Sequence, residues 1–308
     1  MRGMLATMNR TALIVNPFAS GVTEEGLAAV ERELQRNAEL RVTLTEQPNH
    51  ATEIAGALEN VETVFVFGGD GLLNEVLNGL PTAATVGVLP GGRTNVVARS
   101  LGVPLEPVEA ARVLPSAPRR RISLGRANGR RFAFAAGVGF DAELVRRVDE
   151  LGRRSDGRRP GDLAFTWEAA KLLAGRRGRY EPAVEIEGFG RVAFALVANS
   201  DPYTFAAGRP LHVAPAARFE LGLDLVAPRR IRARGIPRIV RYVLRGEGQE
   251  TAADIVYGHD LDRIELRSDR PLPFQVDGED LGDVQVVLFE AERDALSILA
   301  PGDGTLTP

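Results

Sequence analysis

A chain of 308 residues with 44% hydrophobic side chains is long enough to bury a real core and favours two domains or one large one. It contains no cysteine, which excludes a disulfide framework, a zinc–thiolate site and a cysteine nucleophile. The formal net charge of −3 argues against a general nucleic-acid binder. Lysine occurs once, at Lys171, so any phosphate-binding cation is expected to be an arginine.

Met1 to Arg10 has no apolar leader-like core, and no later run is long enough to span a bilayer. Cytoplasmic residence is the expectation, with attachment to a membrane surface left open. Ala12–Val15 reads as a strand leading into Asn16-Pro17-Phe18-Ala19-Ser20-Gly21, and Thr23 caps a helix running to Leu34. Leu40–Thr45 alternates like a strand and His50–Leu58 returns as a helix. The apolar run Thr63–Phe67 then ends at Gly68-Gly69-Asp70-Gly71, after which Leu72, Leu73, Val76, Leu77 and Leu80 recur at helical spacing. The strand Thr85–Leu89 meets a second glycine turn, Pro90-Gly91-Gly92-Arg93-Thr94-Asn95, before a helix from Val96 to Leu101. Repeated βα units predict a parallel sheet with helices on both faces.

Near Pro115–Arg121 strands take over: Arg130–Ala136, Ala183–Glu187, Val192–Asn199, Phe219–Val226, Ile264–Arg267, Phe274–Val276 and Val284–Phe289. A β-rich second domain, a sandwich, is the expectation. The terminal strand Leu296–Leu299 can return to the first domain or stay with the second. The expected division is 1–118, 119–292 and a C-terminal strand segment 293–308. Between Arg146 and Arg179, Leu163, Trp167, Ala170 and Ala174 form a stripe on an expected basic helix. That helix either rests on anionic lipid or packs on the β domain with its arginines in water.

The chain has no Gly-x-x-x-x-Gly-Lys-Ser/Thr loop, and no Gly-x-Gly-x-x-Gly opens a helix. Its phosphate cradle is instead expected from Gly68–Gly71 and Gly91–Asn95, two turns at the carboxyl ends of neighbouring strands, where open α/β sheets bind ligands. The plain alternative is an ordinary βα turn with Asp70 as a helix cap. His50, His212 and His259 share no metal-binding spacing. Phosphoryl transfer needs a divalent cation on the phosphates and a carboxylate to take the acceptor's proton, so acids in strand-end turns are the candidates. Asp70 is one. Asp277-Gly278-Glu279 is another, although Asp-Gly-Glu alone is more often a hairpin.

These motifs resemble the diacylglycerol kinase catalytic-domain superfamily of lipid kinases, in an actinobacterial-like branch, related to NAD kinases. Asn16-Pro17 with Ser20-Gly21 is similar to its first nucleotide loop, and Thr45 followed by His50-Ala51 to its Thr-to-His-Ala stretch. Gly68–Leu80 resembles Gly-Gly-Asp-Gly-Thr-x-Asn-Glu-Val-x-Asn-Gly-Leu, and Pro90–Pro104 resembles the second loop. Gly137–Ala142 and Val276–Glu279 match downstream motifs. The resemblance implies an NAD-kinase-like doubly wound α/β domain followed by a β-sandwich, with ATP and Mg2+ bound between them and a lipid alcohol beside them. It implies nucleotide contacts from Asn16, Pro17, Ser20, Gly21, Thr45, Gly68, Gly69, Gly71, Asn74, Glu75, Gly92, Arg93, Thr94 and Asn95. Glu279, Asp277 and Asp70 carry the chemistry, with the general base left open between Asp70 and the Asp-Gly-Glu acids, and Asp141 lies toward the acceptor hydroxyl.

Three departures stand out. Leu72 replaces a threonine, Arg93 stands where the second loop usually has one, and Glu220-Leu221-Gly222-Leu223-Asp224 replaces an Asp-Gly-x-Leu-Asp stretch that binds a structural magnesium. Glu220, Gly222 and Asp224 are therefore the weakest metal candidates. The implied activity is transfer of the γ-phosphoryl group of ATP to diacylglycerol or a similar neutral lipid at the inner membrane face, with no nucleic-acid partner and a homodimer left open. Its rivals are a kinase for a soluble acceptor and a non-catalytic lipid- or nucleotide-binding module.

Overall fold

The structure, a computed structural model, describes residues 10–36, 38–81, 84–154, 168, 171, 172, 175 and 177–302. The stripe Leu163, Trp167, Ala170 and Ala174 lies outside the described residues. The chain divides into two compact units. One runs up to Ile122 and resumes from Asp294; the other is Ser123–Arg293.

In the first unit β1 (Arg10–Val15), β2 (Glu39–Leu44), β3 (Thr63–Gly68) and β4 (Thr85–Pro90) are parallel. Their order is β2-β1-β3-β4, and the tail of β16 (Glu279–Leu299) joins beside β4 through Ser297↔Thr85 and Ile298↔Val86. The helices are α1 (Glu24–Gln35), α2 (His50–Gly56), α3 (Asp70–Gly79), α4 (Val96–Ser100) and α5 (Pro107–Val113). The chain steps from β1 outward to β2, then crosses back over β1 to β3 and on to β4. Right-handed crossovers in opposite directions place helices on opposite faces, so α1 covers one face, where α5 packs on it, and α2 with α3 cover the other. With both faces covered, β3 and β4 are buried along their whole length, as parallel strands require, while the edge strand β2 mixes exposed and half-buried residues and has none buried. Leu13, Ile14, Phe67, Leu73, Leu77 and Leu89 are core side chains, each contributing about 1.5–3 kcal/mol by burial. The crossover direction reverses between β1 and β3. Ligands of open α/β sheets sit at the carboxyl ends of the strands at such a reversal.

The second unit is strand-rich and antiparallel. β14 (Ile255–Leu261), β13 (Leu223–Pro228), β10 (Ala195–Ala198), β7 (Ala135–Val138) and β15 (Arg263–Val276) neighbour one another in that order. β15 pairs with β7 through Phe274–Val276 but with β8 (Val184–Ile186) through Leu266–Ser268. Its ladder with β16 shifts register between Arg267 and Leu272 and again between Pro273 and Gln275. These irregularities turn one long strand from a first layer into a second, completed by β9 (Gly190–Val192), β5 (Arg119–Ala127) and β6 (Arg130–Phe132). Ala136, Val197 and Leu225 of one layer and Ile186, Leu266 and Phe289 of the other share one core. A short hairpin, β11 (Thr204–Ala206) with β12 (Arg209–Leu211), stands apart. α6 (Phe140–Arg154) follows β7, and α7 (Ile236–Arg245) follows β13. Among the described residues no helix is long and apolar enough to cross a membrane.

Candidate active site

In the first unit three carboxyl-end loops are tied together main chain to main chain. Asn16 N–H donates to Phe67 O (3.0 Å), Gly21 N–H to Gly91 O (2.9 Å) and Gly91 N–H to Gly68 O (2.8 Å). Backbones this close leave no room for side chains. A Cβ on Gly21 would stand 2.9 Å from Gly91 O, and one on Gly92 2.6 Å from Gly69 Cα. Asn95 holds the second loop in a left-handed turn (φ 50°), accepting from Gly92 N–H (2.8 Å) and donating to Gly92 O (2.7 Å). Thr94 and the exposed Arg93 crown the loop, and Arg93 has no carboxylate partner among the described residues. Pro17, Ser20 and Gly21 are exposed on the first loop beside Phe18, which is 78% exposed. Thr45 is buried just past β2, with its N–H on Val15 O.

Asp70 opens α3 and reaches the second loop. Its two oxygens accept the main-chain N–H groups of Val96 (2.9 Å) and Val97 (3.1 Å), the first two residues of α4. The carboxylate thus caps a helix other than its own and joins the two glycine turns. Leu72, where the related motif has threonine, is buried and lies against Gly68, whose Cβ would come within 2.6 Å of Leu72 Cδ2. Asn74 and Glu75 lie on α3. Asn74 is fully buried, and its main-chain oxygen accepts from Asn78. The Glu75 carboxylate accepts from Ala51 N–H (3.1 Å), capping α2, whose Asn49 makes no side-chain cap. Glu75 thus holds α2 to α3.

In the second unit Asp277 and Gly278 make the two-residue turn between β15 and β16, both at positive φ (48° and 77°), as a type I′ hairpin requires. The buried Asp277 carboxylate accepts three main-chain N–H groups: Ala133 (2.7 Å), Phe134 (3.0 Å) and Ala135 (3.2 Å). Glu279 is half-buried, with Arg130 Nη2 3.2 Å from its Oε2. A hydrogen-bonded chain leads inward from this turn. Gly278 N–H donates to Gln275 Oε1 (2.9 Å), and Gln275 Nε2 donates to Asp141 Oδ2 (2.6 Å). Tyr203 OH donates to Asp141 Oδ1 (2.6 Å). Gly137 clears the space, since a Cβ there would be 2.7 Å from Asp141 Oδ2. Burial pushes the Asp141 carboxyl above its ordinary value of 3.8, against the two hydrogen bonds that favour its charge. Burial and the neighbouring carboxylate push the Tyr203 hydroxyl up as well, so it serves as a donor. No sequence motif marks Tyr203 and Gln275 as site residues, because their partner lies more than sixty residues away.

A cavity of about 850 Å³ opens beside the start of α6, lined by Phe140, Leu151, Tyr180 and Leu272 together with Arg179 and Arg270. Glu220, Gly222 and Asp224 lie at the start of β13 and just before it. Asp224 is fully buried and accepts from Tyr257 OH (2.8 Å) and Asp260 N–H (3.1 Å), with His259 Nδ1 at 2.8 Å. Gly222 N–H is spent on Asp260 Oδ1 (2.7 Å), and Glu220 is exposed. Among the described residues no group of three or more His, Asp or Glu side chains is arranged to hold a metal.

A parallel α/β unit with glycine loops at its carboxyl edge, followed by a strand-rich unit, is the architecture of the NAD kinase and diacylglycerol kinase fold. A solved diacylglycerol kinase from Bacillus anthracis str. Sterne shares it, with a TM-score of 0.71 at 20% identity over 96% of this chain and 97% of that one. An Archaeoglobus fulgidus NAD kinase in complex with ATP aligns at a TM-score of 0.50 and 14% identity, over 96% of this chain and 95% of that one. Residues 10–127 match the diacylglycerol kinase catalytic domain. The diacylglycerol kinase of Bacillus subtilis (strain 168) is 28% identical over 290 residues, covering 88% of this chain and 90% of its own length.

Proposed function

We propose that the protein is an ATP-dependent lipid kinase that transfers the γ-phosphoryl group to the hydroxyl of diacylglycerol or a related neutral lipid, giving phosphatidic acid or its analogue. The observation that carries this reading is the three-loop cradle. Glycine-rich main chain drawn together at the carboxyl edge of a parallel sheet, the edge where open α/β sheets bind their ligands, suits a polyphosphate. The exposed Arg93 adds a cation that can take phosphate oxygens ionically where relatives offer a hydroxyl.

Magnesium, when bound, spreads positive charge over the transferring phosphates, and it needs only one or two protein carboxylates besides the phosphates themselves. Asp70 is the acid of the cradle that fits. Of the two acids in the hairpin turn, Glu279 is the one we assign to take the proton of the acceptor hydroxyl. Asp277 has its oxygens on three main-chain donors, which suits a positioning residue better than a base. Asp141, kept in place by Tyr203 and Gln275, is assigned to the acceptor side. The cavity beside Phe140, part apolar and part charged with acids such as Glu143 and Glu181 as well as arginines, supports an acceptor with both a hydrocarbon body and a polar head. A lipid acceptor places the enzyme on the cytoplasmic face of a membrane as a peripheral protein.

The test is transfer of labelled γ-phosphate from ATP with magnesium to diacylglycerol, monoacylglycerol, sphingosine, ceramide and phosphatidylglycerol in mixed micelles, with NAD in a parallel soluble assay. Label in one lipid, lost in Asp70→Asn, is the expected result. Label in NAD alone, or none anywhere despite measurable ATP binding, overturns the reading.

A further inference from the structure

The stretch from Arg229 to Arg245 carries seven arginines and no acid, in a chain whose net charge is −3. Six of them, Arg229, Arg230, Arg232, Arg234, Arg241 and Arg245, are exposed and have no carboxylate partner among the described residues. Arg238 is bonded to Asp254. The other nearby acids, Glu247 and Glu250, follow Gly246, the left-handed cap that ends α7. Arg230, Arg232, Arg234 and Arg238 ring a concavity of about 550 Å³, with Ile231 and Ile239 in its wall and Asp254, the partner of Arg238, as its one acid among the described residues.

α7 itself is apolar on two sides. Ile236, Ile239, Tyr242 and Val243 face inward, with Ile236 and Ile239 against the Tyr180–Phe194 cluster. A solvent-facing stripe should then be polar, yet Pro237 is exposed, Val240 is 47% exposed and Leu244 57%. At 3.6 residues per turn these three lie within roughly 60° of one another, with Arg238, Arg241 and Arg245 on the adjoining arc. Arg238 and Arg241 lean over the Tyr242 ring, their guanidinium carbons 5.7 and 5.8 Å from its centroid. Such stacking fixes the charged arc beside the apolar stripe.

We infer that the Arg229–Arg245 face docks on an anionic phospholipid bilayer, with the arginine concavity taking lipid phosphate and Pro237, Val240 and Leu244 entering the headgroup–acyl boundary. Charge complementarity selects this occupant. Guanidinium groups bind phosphate bidentately, each near an anionic surface strengthens attachment, and the exposed apolar stripe supplies what charge alone lacks. A nucleic acid would satisfy the arginines but leave the stripe in water. The inference rests on the lipid-acceptor reading only for its purpose, which is to bring the enzyme to the bilayer that holds its substrate.

The experiment is sedimentation of the full chain with vesicles of phosphatidylcholine, with and without phosphatidylglycerol, at low and high salt. Binding is expected only with phosphatidylglycerol and should weaken with salt. Arg230→Gln/Arg232→Gln/Arg234→Gln should lower it by on the order of 100-fold, while the same three changed to Lys should retain most of it. Val240→Ser/Leu244→Ser should weaken it at both salt concentrations. Equal binding by the Gln variant and the unaltered chain overturns the inference. So does failure of the unaltered chain to sediment, or its capture of an RNA oligonucleotide in place of vesicles. Label transfer to a short-chain diacylglycerol in detergent micelles is read alongside and should not change in any of these variants. Vesicle binding without such transfer sinks the kinase reading and leaves the docking face standing.

Discussion

The two units build their candidate sites from opposite materials. In the first, three loops meet backbone to backbone, and the missing side chains of Gly21, Gly91 and Gly92 let them close on one another. In the second, the site is a set of side chains: Gln275, Asp141 and Tyr203 satisfy one another in the interior, and Asp277 is held by main-chain N–H groups. Each unit also spends an acid on its own architecture. Asp70 holds two N–H groups of α4 and Asp277 holds three at the start of β7. An acid in a motif can therefore be wanted first for its lone pairs and only then for its proton affinity. A backbone cradle fails when something is added to it; a buried network fails when something is taken away.

The sharpest way to use that difference is to divide the hairpin turn. Glu279→Gln should cut turnover by on the order of 10²–10⁴ while the melting temperature holds, as loss of a general base does. Asp277→Ala should do the reverse in kind. Three buried N–H groups lose a charged acceptor, at about 1–3 kcal/mol for each left unsatisfied, and the second unit should melt roughly 10 °C lower or more. If Glu279→Gln retains full turnover and Asp277→Asn, still able to adopt the positive φ, abolishes it without loss of stability, the assignment of the two acids is inverted.

Gly92→Ala tests the cradle by addition. Its Cβ would lie 2.6 Å from Gly69 Cα, so the two loops must part, at about 1–3 kcal/mol for overpacking. The expected outcome is a roughly tenfold rise in the KM for ATP, since small displacements of a positioning backbone carry large kinetic penalties. An unchanged KM would mean that the nucleotide does not use this junction.

The smallest effect is in the pH dependence of stability. Burial raises the Asp141 carboxyl, so the native state keeps that proton at pH values where the unfolded chain has lost it. Its contribution is complete below about pH 4, the ordinary carboxylate range, and is lost as pH rises through the raised value. Asp141→Asn, which cannot ionise, should therefore show a flatter fall in unfolding free energy from pH 4 upward than the unaltered chain. Parallel curves would show that Asp141 titrates normally and that its environment is wetter than its hydrogen bonds imply.

Reading by periodicity finds β1, β3, β4, α1 and the glycine turns to within two residues, because a buried parallel strand ending at glycine and a Thr23-capped amphipathic helix are local signals. It misses α5, α6 and α7 as helices. α6 begins inside a motif whose strand-like apolar run hides the turn at Gly139, and α7 is so rich in arginine that its inward stripe is hard to separate. β16 runs in a single course from Glu279 to Leu299, where alternation alone gives two strands, Val284–Phe289 and Leu296–Leu299. β15 is divided in the same way, into Ile264–Arg267 and Phe274–Val276. Register shifts in the β15–β16 ladder break the alternation that would have joined the pieces.

The sequence by itself determined the class of protein, since glycines at strand ends and acids in tight turns are local chemistry that needs no partner to be recognised. Only the tertiary structure decided what each polar side chain is for. Glu75 stands in the most specific motif of the chain, yet its carboxylate caps α2 through Ala51 N–H, because a helix that follows a glycine turn must also be packed. Asp224 turns to Tyr257 and His259, and Asp141 to Tyr203 and Gln275, across separations no motif spans. A buried carboxylate must find donors wherever the fold brings them, and that choice is made in three dimensions.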